Sequence, residues 1–284
     1  MPSAVAGLRE AALSGSTPQM TAELLALFDQ VAVQADKLQW VQEALAADLA
    51  VREAVDPALA RASAAVAALV DARPATFDRH GYHNRQHFCE VALTAYGLCV
   101  MDKLDIRSTQ LVVLAALTHD LVHEGRPQPA FVQERASVES MRPWLEAAGL
   151  DAVQMEQLMV LVLATDPSRG NAFLSTLGSG NGASPEVPAE ARELAALAAD
   201  AGLARLARLV CEADVLPSVG LGADHALRSQ QRLAVEWRRP LDLADKLGFI
   251  DLVLRQGCVG AAFLPCVHAT RADLSAEMHA PVLG

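Results

Sequence analysis

The chain has few aromatic residues and few signals for β-strands. Phe, Trp and Tyr together make up 4% of its 284 residues, and no runs of alternating apolar and polar residues lie between tight-turn residues. Strands favour aromatic and β-branched residues and follow a period of two. These deficits argue against a sheet and predict an all-α fold.

Positive charge is also scarce. The chain has 23 Lys and Arg against 34 Asp and Glu, which gives a net charge of −11. Nonspecific binding to a nucleic acid polymer needs clustered Lys and Arg, and the three dispersed tryptophans form no stacking platform. We therefore expect no nucleic acid partner. A small anionic ligand stays possible, since a bound metal can supply local positive charge.

Long apolar runs and paired cysteines are missing as well. The longest runs, including Leu111–Leu117 and Leu158–Ala164, fall short of the roughly 18 to 20 residues that cross a bilayer. Arg9 and Glu10 stand where a signal peptide would be apolar. The five cysteines are odd in number and contain no CxxC pair. We expect a cytoplasmic protein with reduced thiols and no membrane contact.

Helical periodicity accounts for most of the chain. Hydrophobic residues make up 52% and charged residues 20%, and 284 residues allow one domain with a sizeable core. We predict a single compact multi-helix domain at 76–284, with an N-terminal helical extension at 1–75 packed on it. The predicted helices are Pro18–Val55 with interruptions, Asp56–Ala72, His83–Asp102, Ser108–His119, Gln133–Ala148, Asp151–Ala164, Pro188–Asp214, Ala223–Glu236 and Leu241–Gln256.

Two further segments are predicted from composition. Gly178–Pro188, GSGNGASPEVP, is typical of a flexible loop. The alanine-rich face of Arg61–Val70 favours close helix packing. That face could cover the main domain or form a homodimer contact, and the sequence leaves both open.

The histidines are unevenly distributed. Four of the eight fall in two short stretches, Tyr82–Val91 and Leu111–Gly125. His83 and His87 stand four apart at the predicted start of a helix, so both side chains would project from one face. Such a pair could converge on one ion or substrate, or could be a solvated pair.

Two acidic positions strengthen the case for an ion. His119-Asp120 ends the apolar helix LVVLAALTH, where an imidazole and a carboxylate without partners would cost several kcal/mol. Asp214 lies at the end of another apolar helix, Leu206–Val219, which we expect Pro217 to terminate. Taken alone, Asp214 could instead bond nearby backbone amides. Together with His83 or His87, these side chains suit zinc, manganese, iron or magnesium.

In their order H…HD…D, these residues resemble the HD superfamily of metal-dependent phosphohydrolases. Within it, the chain is most similar to the catalytic domain of class I cyclic nucleotide phosphodiesterases. The similarity covers about Tyr82 to Gln256. Its five blocks are YHNRQH at Tyr82–His87 (family YHNxxH), HDLVHEG at His119–Gly125 (HDxDHPG), LVLATDPS at Leu161–Ser168 (LATDMS), CEAD at Cys211–Asp214 (CAD) and LGFIDLVL at Leu247–Leu254 (VGFIDYIV).

The resemblance implies two divalent metal ions, which could be Zn, Mg, Mn or Fe. His87, His119, Asp120 and Asp214 would hold the tighter ion, and Asp120 would bridge to the second. A water shared by the ions would lose its proton near neutral pH and attack phosphorus.

The resemblance also implies roles around the ions. His83 would be the general acid that protonates the departing oxygen. His123 would lie at the phosphate, and Glu134 would lie near the attacking water. Asn84 and Asp166 match family positions, and we expect them to orient the substrate.

The chain differs from the family at a position that contacts the purine base of the nucleotide. The glutamine that bonds the purine edge in the family is Lys246 here, and lysine donates but cannot accept a hydrogen bond. Phe249 matches the aromatic clamp that stacks on a flat ring. From the sequence alone, Lys246 could instead be a solvated surface residue, and Phe249 could belong to the core.

Three functions remain open. The first is a phosphodiesterase that cleaves a cyclic nucleotide or a similar small phosphodiester. The second is an HD-type phosphomonoesterase or nucleotidase. The third is a noncatalytic metal-binding or ligand-binding sensor domain. His83 favours the first, because a binding domain has no chemical need for a general acid.

Overall fold

The structure, a computed structural model, describes residues 4–52, 55–126, 128–178 and 186–279. Within these ranges every regular element is helical, which confirms the predicted all-α fold. The helices are α1 Ala6–Ser14, α2 Thr17–Ala32, α3 Lys37–Ala50, α4 Pro57–Asp71, α5 Pro74–Phe77, α6 Arg85–Met101, α7 Ile106–Thr118, α8 Val132–Ala147, α9 Ala152–Ala164, α10 Gly170–Gly178, a 3₁₀ helix Ala189–Leu194, α11 Ala195–Ala199, α12 Ala201–Val219, α13 Ala223–Trp237, α14 Leu243–Gln256 and α15 Leu264–His279.

Aspartates fix the starts of several helices. The Asp56 side chain accepts hydrogen bonds from the first free amides of α4, just before Pro57. Asp151 and Asp242 each form a capping box at the starts of α9 and α14. A side-chain oxygen at this position satisfies amides that have no partner inside the helix, which stabilises the helix by about 1 kcal/mol.

The centre of the molecule is a group of helices that are buried on nearly every side. Helices α6, α7, α9 and α12 pack against one another, and their apolar residues are almost completely inaccessible. Polar side chains on such helices are costly unless they have partners. His87 in the first turn of α6 and His119 directly after α7 are buried polar side chains of this kind. They indicate a candidate functional site between these helices and α12.

The N-terminal helices share this core. Helices α1, α2 and α3 pack on α6, and α4 packs on α3 and α7. Ala62, Val66 and Ala67 of α4 are fully buried within the chain. The alanine-rich face thus covers the rest of the chain, and a homodimer would need another surface. The boundary at residue 75 stays a prediction.

Two predicted helix ends are wrong. The single helix predicted for Pro188–Asp214 is a 3₁₀ helix followed by α11 and α12. Extended backbone at Asp200 separates α11 from α12, and the Asp200 carboxylate accepts a hydrogen bond from the Leu203 amide at the start of α12. Pro217 lies inside α12 and does not end it. A proline this close to the C-terminus removes one hydrogen bond, and the Gly220 amide still closes the last turn on Leu216.

Other parts of the chain differ in smaller ways. His83 precedes α6 and is not part of it. Helices α1, α5, α10 and α15 were not predicted. Most of the predicted loop at Gly178–Pro188 lies outside the described residues. None of the helices in the described ranges combines the length and apolarity that a bilayer crossing requires.

Candidate metal centre

Two histidines and two aspartates from three helices converge between α6, α7 and α12. His87 lies in the first turn of α6, His119 and Asp120 directly follow α7, and Asp214 lies in α12. Each offers one ligand atom, and these four atoms lie within 4.8 Å of one another. All four residues were predicted to form one metal site, and the structure brings them together.

The imidazole nitrogens point at the carboxylates without bonding to them. His119 Nε2 lies 3.1 Å from Asp120 Oδ2 and 3.4 Å from Asp214 Oδ1. His87 Nε2 lies 3.5 Å and 3.4 Å from the same two oxygens. Neither Nε2 atom has a hydrogen-bond partner among the described residues. Unpartnered buried nitrogens facing carboxylate oxygens suit a shared cation.

The backbone sets the orientation of one imidazole. His119 is 1% exposed, and its Nδ1 lies 2.8 Å from the Ala116 carbonyl oxygen. Because a carbonyl only accepts, Nδ1 carries a proton, and Nε2 is the ring nitrogen that could bind a metal. This is the usual arrangement of a histidine that binds a metal.

The electrostatics of the cluster agree with a cation. Burial alone would favour the neutral forms, but Asp120 raises the pKa of His119 well above its ordinary value. His119 lowers the pKa of Asp120 in the same way, also against the effect of burial. The pKa of Asp214 is lowered by His119 and His87 despite burial. Two ionised carboxylates beside two imidazoles form a ligand set for a divalent ion.

His83 lies beside this cluster and is held by a glutamate. Its Nδ1 lies 2.6 Å from Glu236 Oε1, and its Nε2 lies 3.8 Å from Asp120 Oδ2. Oε2 of Glu236 accepts from the amides of Tyr82 and His83. Burial tends to raise the pKa of Glu236, but the contacts with His83 and with these amides lower it to about 2. Glu236 is therefore ionised and fixes the ring of His83.

Glu236 was missed from the sequence. It lies in the last turn of α13, outside all five similar blocks, and nothing in its neighbourhood resembles a motif. The local signal is one acidic residue in a polar helix. Its role depends on a contact between residues 153 positions apart, which only the fold reveals.

His123 and Glu134 both lie near Asp120 of the cluster. The His123 ring stacks on His83 with centroids 3.5 Å apart, and its Nδ1 accepts from the Gly125 amide. Burial, followed by the nearby His83, lowers the pKa of His123 to about 4. Glu134, in the first turn of α8, is 8% exposed, and burial with the charges of Asp166 and Asp120 raises its pKa to about 7.

Asn84 uses its amide to position α6. Its Oδ1 accepts from the amides of Gln86 and His87, and its Nδ2 donates to the carbonyls of His80 and Gly81. It therefore caps the helix that carries His87. The NH₂ group and the oxygen of the Asn84 amide are therefore bonded to backbone groups, and the side chain positions the backbone around His87.

Asp166 is engaged in a similar way. Its Oδ1 accepts from Ser168 and Arg169, and its Oδ2 accepts from the Phe131 amide. Phe131 has a left-handed backbone with φ 67° and immediately precedes α8. Asp166 thereby fixes the start of the helix that carries Glu134.

Lys246 and Phe249 lie on α14. Lys246 is 5% exposed, so it is not the solvated surface residue that the sequence allowed. Phe249 is 37% exposed, so it is not a core residue. The Lys246 Nζ lies 5.5 Å from the centre of the Phe249 ring.

A groove of about 390 Å³ lies elsewhere, along α8 and α9. Its two arginines are already neutralised, Arg135 by Glu193 and Arg142 by Glu139. It contains none of the residues of the metal cluster. We therefore place the chemistry at the cluster and not in this groove.

Solved structures with a similar fold include phosphodiesterase domains. The phosphodiesterase domain of Salpingoeca rosetta rhodopsin phosphodiesterase is 18% identical, with a TM-score of 0.59, and the match covers 94% of this chain and 89% of that one. That of the RhoPDE fusion protein from the same choanoflagellate is 19% identical, with a TM-score of 0.55 and coverage of 92% and 91%. LmjPDEB1 in complex with IBMX is 19% identical, with a TM-score of 0.56 and coverage of 88% and 87%.

These matches show that the chain has the fold of phosphodiesterase catalytic domains, as predicted from its five blocks. No known family profile matches the chain, and no curated protein matches it.

Proposed function

We propose that this protein is a metal-dependent phosphohydrolase that cleaves a small phosphodiester. One observation carries the proposal. The four ligand atoms of His87, His119, Asp120 and Asp214 lie within 4.8 Å of one another. His83, which Glu236 holds through Nδ1, lies with its Nε2 3.8 Å from Asp120 Oδ2. The shared fold with phosphodiesterase domains supports the reaction class.

His87, His119, Asp120 and Asp214 would hold a divalent ion, and Asp120 would be shared with a second. Bound there, the ions would activate a water and neutralise charge on the phosphate. Zinc, manganese, iron and magnesium all fit two imidazoles and two carboxylates. The N-terminal helices would support this site, since α1, α2 and α3 pack on the helix that carries His87.

His83 would donate the proton that the leaving oxygen needs. Glu236 accepts from Nδ1, so Nε2 is the atom left to face the substrate. A positioned general acid contributes about 10²- to 10⁴-fold in rate. A diester needs such an acid when its leaving group is a sugar alkoxide.

Glu134 and His123 would complete the site. A carboxyl with a pKa of about 7 can accept a proton from the attacking water near neutral pH. His123 is neutral above its pKa of about 4, so it can orient a phosphate oxygen or His83 without adding charge. We assign Asn84 and Asp166 to positioning α6 and α8.

The identity of the base-like part of the substrate is a separate question. Lys246 cannot give the two-way amide contact that reads a purine edge, so a cyclic nucleotide is one member of the proposed substrate class and not its defining member. All five cysteines are free thiols, and we propose a reducing compartment such as the cytoplasm for this activity.

The proposal is tested with purified protein and two chromogenic esters. Metal content is measured by mass spectrometry, and turnover is measured with bis(4-nitrophenyl) phosphate and 4-nitrophenyl phosphate. We expect bound divalent metal and preferential turnover of the diester. Asp120→Ala should remove activity, and His268→Ala, which changes an exposed histidine on α15, should not.

The alternatives give different results. Faster turnover of the monoester would identify a phosphomonoesterase of the HD type. Bound metal without turnover of either ester would identify a sensor domain. For a diester with an alkyl leaving group, His83→Ala should lower kcat much more than it does for the nitrophenyl diester, since nitrophenolate leaves without a proton.

A further inference from the structure

Arg85 is a buried cation in the first turn of α6, two residues before the candidate ligand His87. It is 7% exposed. Its Nε and Nη2 donate to Asp78 Oδ2 at 2.9 and 2.7 Å, and its Nη1 donates to Asp71 Oδ1 and to the Ala35 carbonyl, each at 2.9 Å. Hydrogen bonds between charged groups are roughly twice as strong as neutral ones. All three nitrogens of the guanidinium therefore have partners.

The partners of Arg85 belong to separate segments of the N-terminal part of the chain. Ala35 lies between α2 and α3, Asp71 is the last residue of α4, and Asp78 follows α5. The other oxygen of Asp71 accepts from the Gln39 amide, in the first turn of α3, at 2.8 Å. One guanidinium thus ties the start of α6 to the start of α3 and to the ends of α4 and α5.

The backbone of this first turn is also held from outside the helix. Asp78 Oδ1 accepts from the Arg85 amide at 3.3 Å. Asn84 Oδ1 accepts from the amides of Gln86 and His87 at 3.0 and 3.2 Å. The first amides of an α-helix have no partner within the helix. The position of the turn therefore depends on Asn84 and on the residues that bind Arg85.

The His87 side chain leaves the same turn in the opposite direction. Successive residues of an α-helix lie about 100° apart around its axis, so residues 85 and 87 project about 200° apart. His87 Nε2 faces Asp120 and Asp214 at 3.5 and 3.4 Å, whereas the four hydrogen bonds of the Arg85 side chain go to residues 35, 71 and 78. A change at Arg85 would therefore reach the cluster through the position of the turn.

We infer that Arg85 is a positioning residue of the candidate metal centre: its contacts with Asp71 and Asp78 fix the first turn of α6, and this position sets how tightly the cluster holds a divalent ion. This inference rests on the proposed function, of which it needs only the bound ion. Groups that orient a metal ligand change metal affinity by about 10- to 100-fold when they are removed. Two of the anchors, at residues 35 and 71, lie in the predicted N-terminal extension, which thereby acts on the metal centre.

The test uses Co²⁺ as the probe, because its visible absorption reports both binding and the geometry of its ligands. Metal-free protein is titrated with Co²⁺, and the affinity is measured by competition with a chelator. We expect Arg85→Met to bind Co²⁺ at least 10-fold more weakly than wild type, with shifted absorption bands. Arg85→Lys keeps the charge but lacks the planar fork that reaches several acceptors at once, so its affinity should lie between the two.

Asp78→Ala keeps the test decisive if Arg85→Met does not fold, because Asp78 is exposed and lies outside any helix. It removes two of the four side-chain hydrogen bonds of Arg85 and should weaken Co²⁺ binding at least 3-fold. Arg61→Met is the matched control. The Arg61 guanidinium donates to the Ala148 carbonyl at 2.9 Å and ties α4 to the end of α8. This variant should lower Tm and leave the Co²⁺ affinity within 2-fold.

Two results would overturn the inference. One is a Co²⁺ affinity within 2-fold of wild type in Asp78→Ala and in folded Arg85→Met. The other is an equal loss of affinity in Arg61→Met, which would show that any loss of stability weakens the site. Failure of the proposed function is seen separately, as wild type that binds Co²⁺ and cleaves neither nitrophenyl ester, and the affinities still decide the role of Arg85. Wild type that binds no Co²⁺ would overturn both.

Discussion

The Nδ1 atom of His83 lies 2.6 Å from the Oε1 atom of Glu236, although the two residues are 153 positions apart. The other carboxylate oxygen of Glu236, Oε2, accepts hydrogen bonds from the backbone amides of Tyr82 and His83. The ring and the backbone that carries it are thus tied to α13 together. The position of the proposed general acid therefore depends on a helix that contributes no metal ligand.

Glu236→Gln should lower kcat by about 10- to 1,000-fold without loss of metal. The amide can turn either its NH₂ or its oxygen toward Nδ1, so it no longer fixes the tautomer and the orientation of the His83 ring. Metal content and kcat are measured on the same preparation. Glu139→Gln, at an exposed ion pair with Arg142, is the matched control and should change neither.

An outcome in which Glu236→Gln loses metal together with activity would contradict this assignment. It would mean that Glu236 supports the cluster itself and not the acid. The diester with an alkyl leaving group gives a further check, because the loss of kcat should be larger there than with nitrophenyl leaving groups.

Removal of metal should destabilise the protein. Two buried carboxylates and two imidazoles that converge within 4.8 Å are stabilised when an ion lies between them. At a free ion concentration of 100 times the Kd, binding adds about 2.7 kcal/mol to the free energy of unfolding. A chelator should therefore lower Tm by several degrees, and Asp214→Asn should lower the metal content to less than one ion per chain.

The matched control for the chelator is a metal-site variant. His119→Ala should have a Tm that the chelator no longer changes. A chelator effect of equal size in wild type and in His119→Ala would place the bound ion somewhere other than the cluster.

Gly81→Ala should lower kcat and spare the metal. A Cβ at this position would lie 2.4 Å from the Arg232 carbonyl oxygen and 3.2 Å from the Glu236 amide nitrogen, both of which are backbone atoms that cannot rotate away. The segment before α6 must then shift away from α13 and carry His83 with it. We expect at least a 10-fold loss of kcat, because a displacement of about 1 Å can cost 100-fold.

The measurement for Gly81→Ala is kcat beside metal content and circular dichroism. Gly248→Ala is the comparison for helix content, because its Cβ would meet nothing within 4 Å and alanine is the better helix former. Unchanged kcat in Gly81→Ala would mean that the close approach of this segment to α13 does not position the acid.

Much of this site could be predicted from the sequence, because its parts are local. His87, His119 and Asp120 lie in short sequence blocks that resemble the family. The helices around them are apolar, so these polar side chains were expected to bind a partner such as a metal ion. Glu236 could not be predicted, because its signal is one contact between distant segments. Lys246 was ambiguous for the same reason, since an amphipathic helix does not reveal what covers it. The prediction that Pro217 ends its helix was wrong, because a proline near the end of a helix removes only one hydrogen bond.

Lys246→Met should stabilise the protein, and the gain should shrink as the pH rises. The pKa of Lys246 is lowered from its ordinary 10.5 to about 7, mainly by burial. Below pH 7 both the folded and the unfolded chain carry the proton, and the folded state bears the full cost of the buried charge. Between pH 7 and 10.5 only the unfolded chain stays protonated, so wild type becomes more stable as the pH rises.

Each pKa unit corresponds to about 1.4 kcal/mol, so the advantage of Lys246→Met should fall by about 3 kcal/mol from pH 6 to pH 9. Urea unfolding at the two pH values measures it. Arg232 acts on Lys246 and Lys246 acts on His225, and the substitution changes neither of these two residues. Lys103→Met is the control and should show no such dependence. A gain in Lys246→Met that does not change with pH would contradict this prediction, because it would show that the ammonium of Lys246 is neutralised by another group in the folded chain.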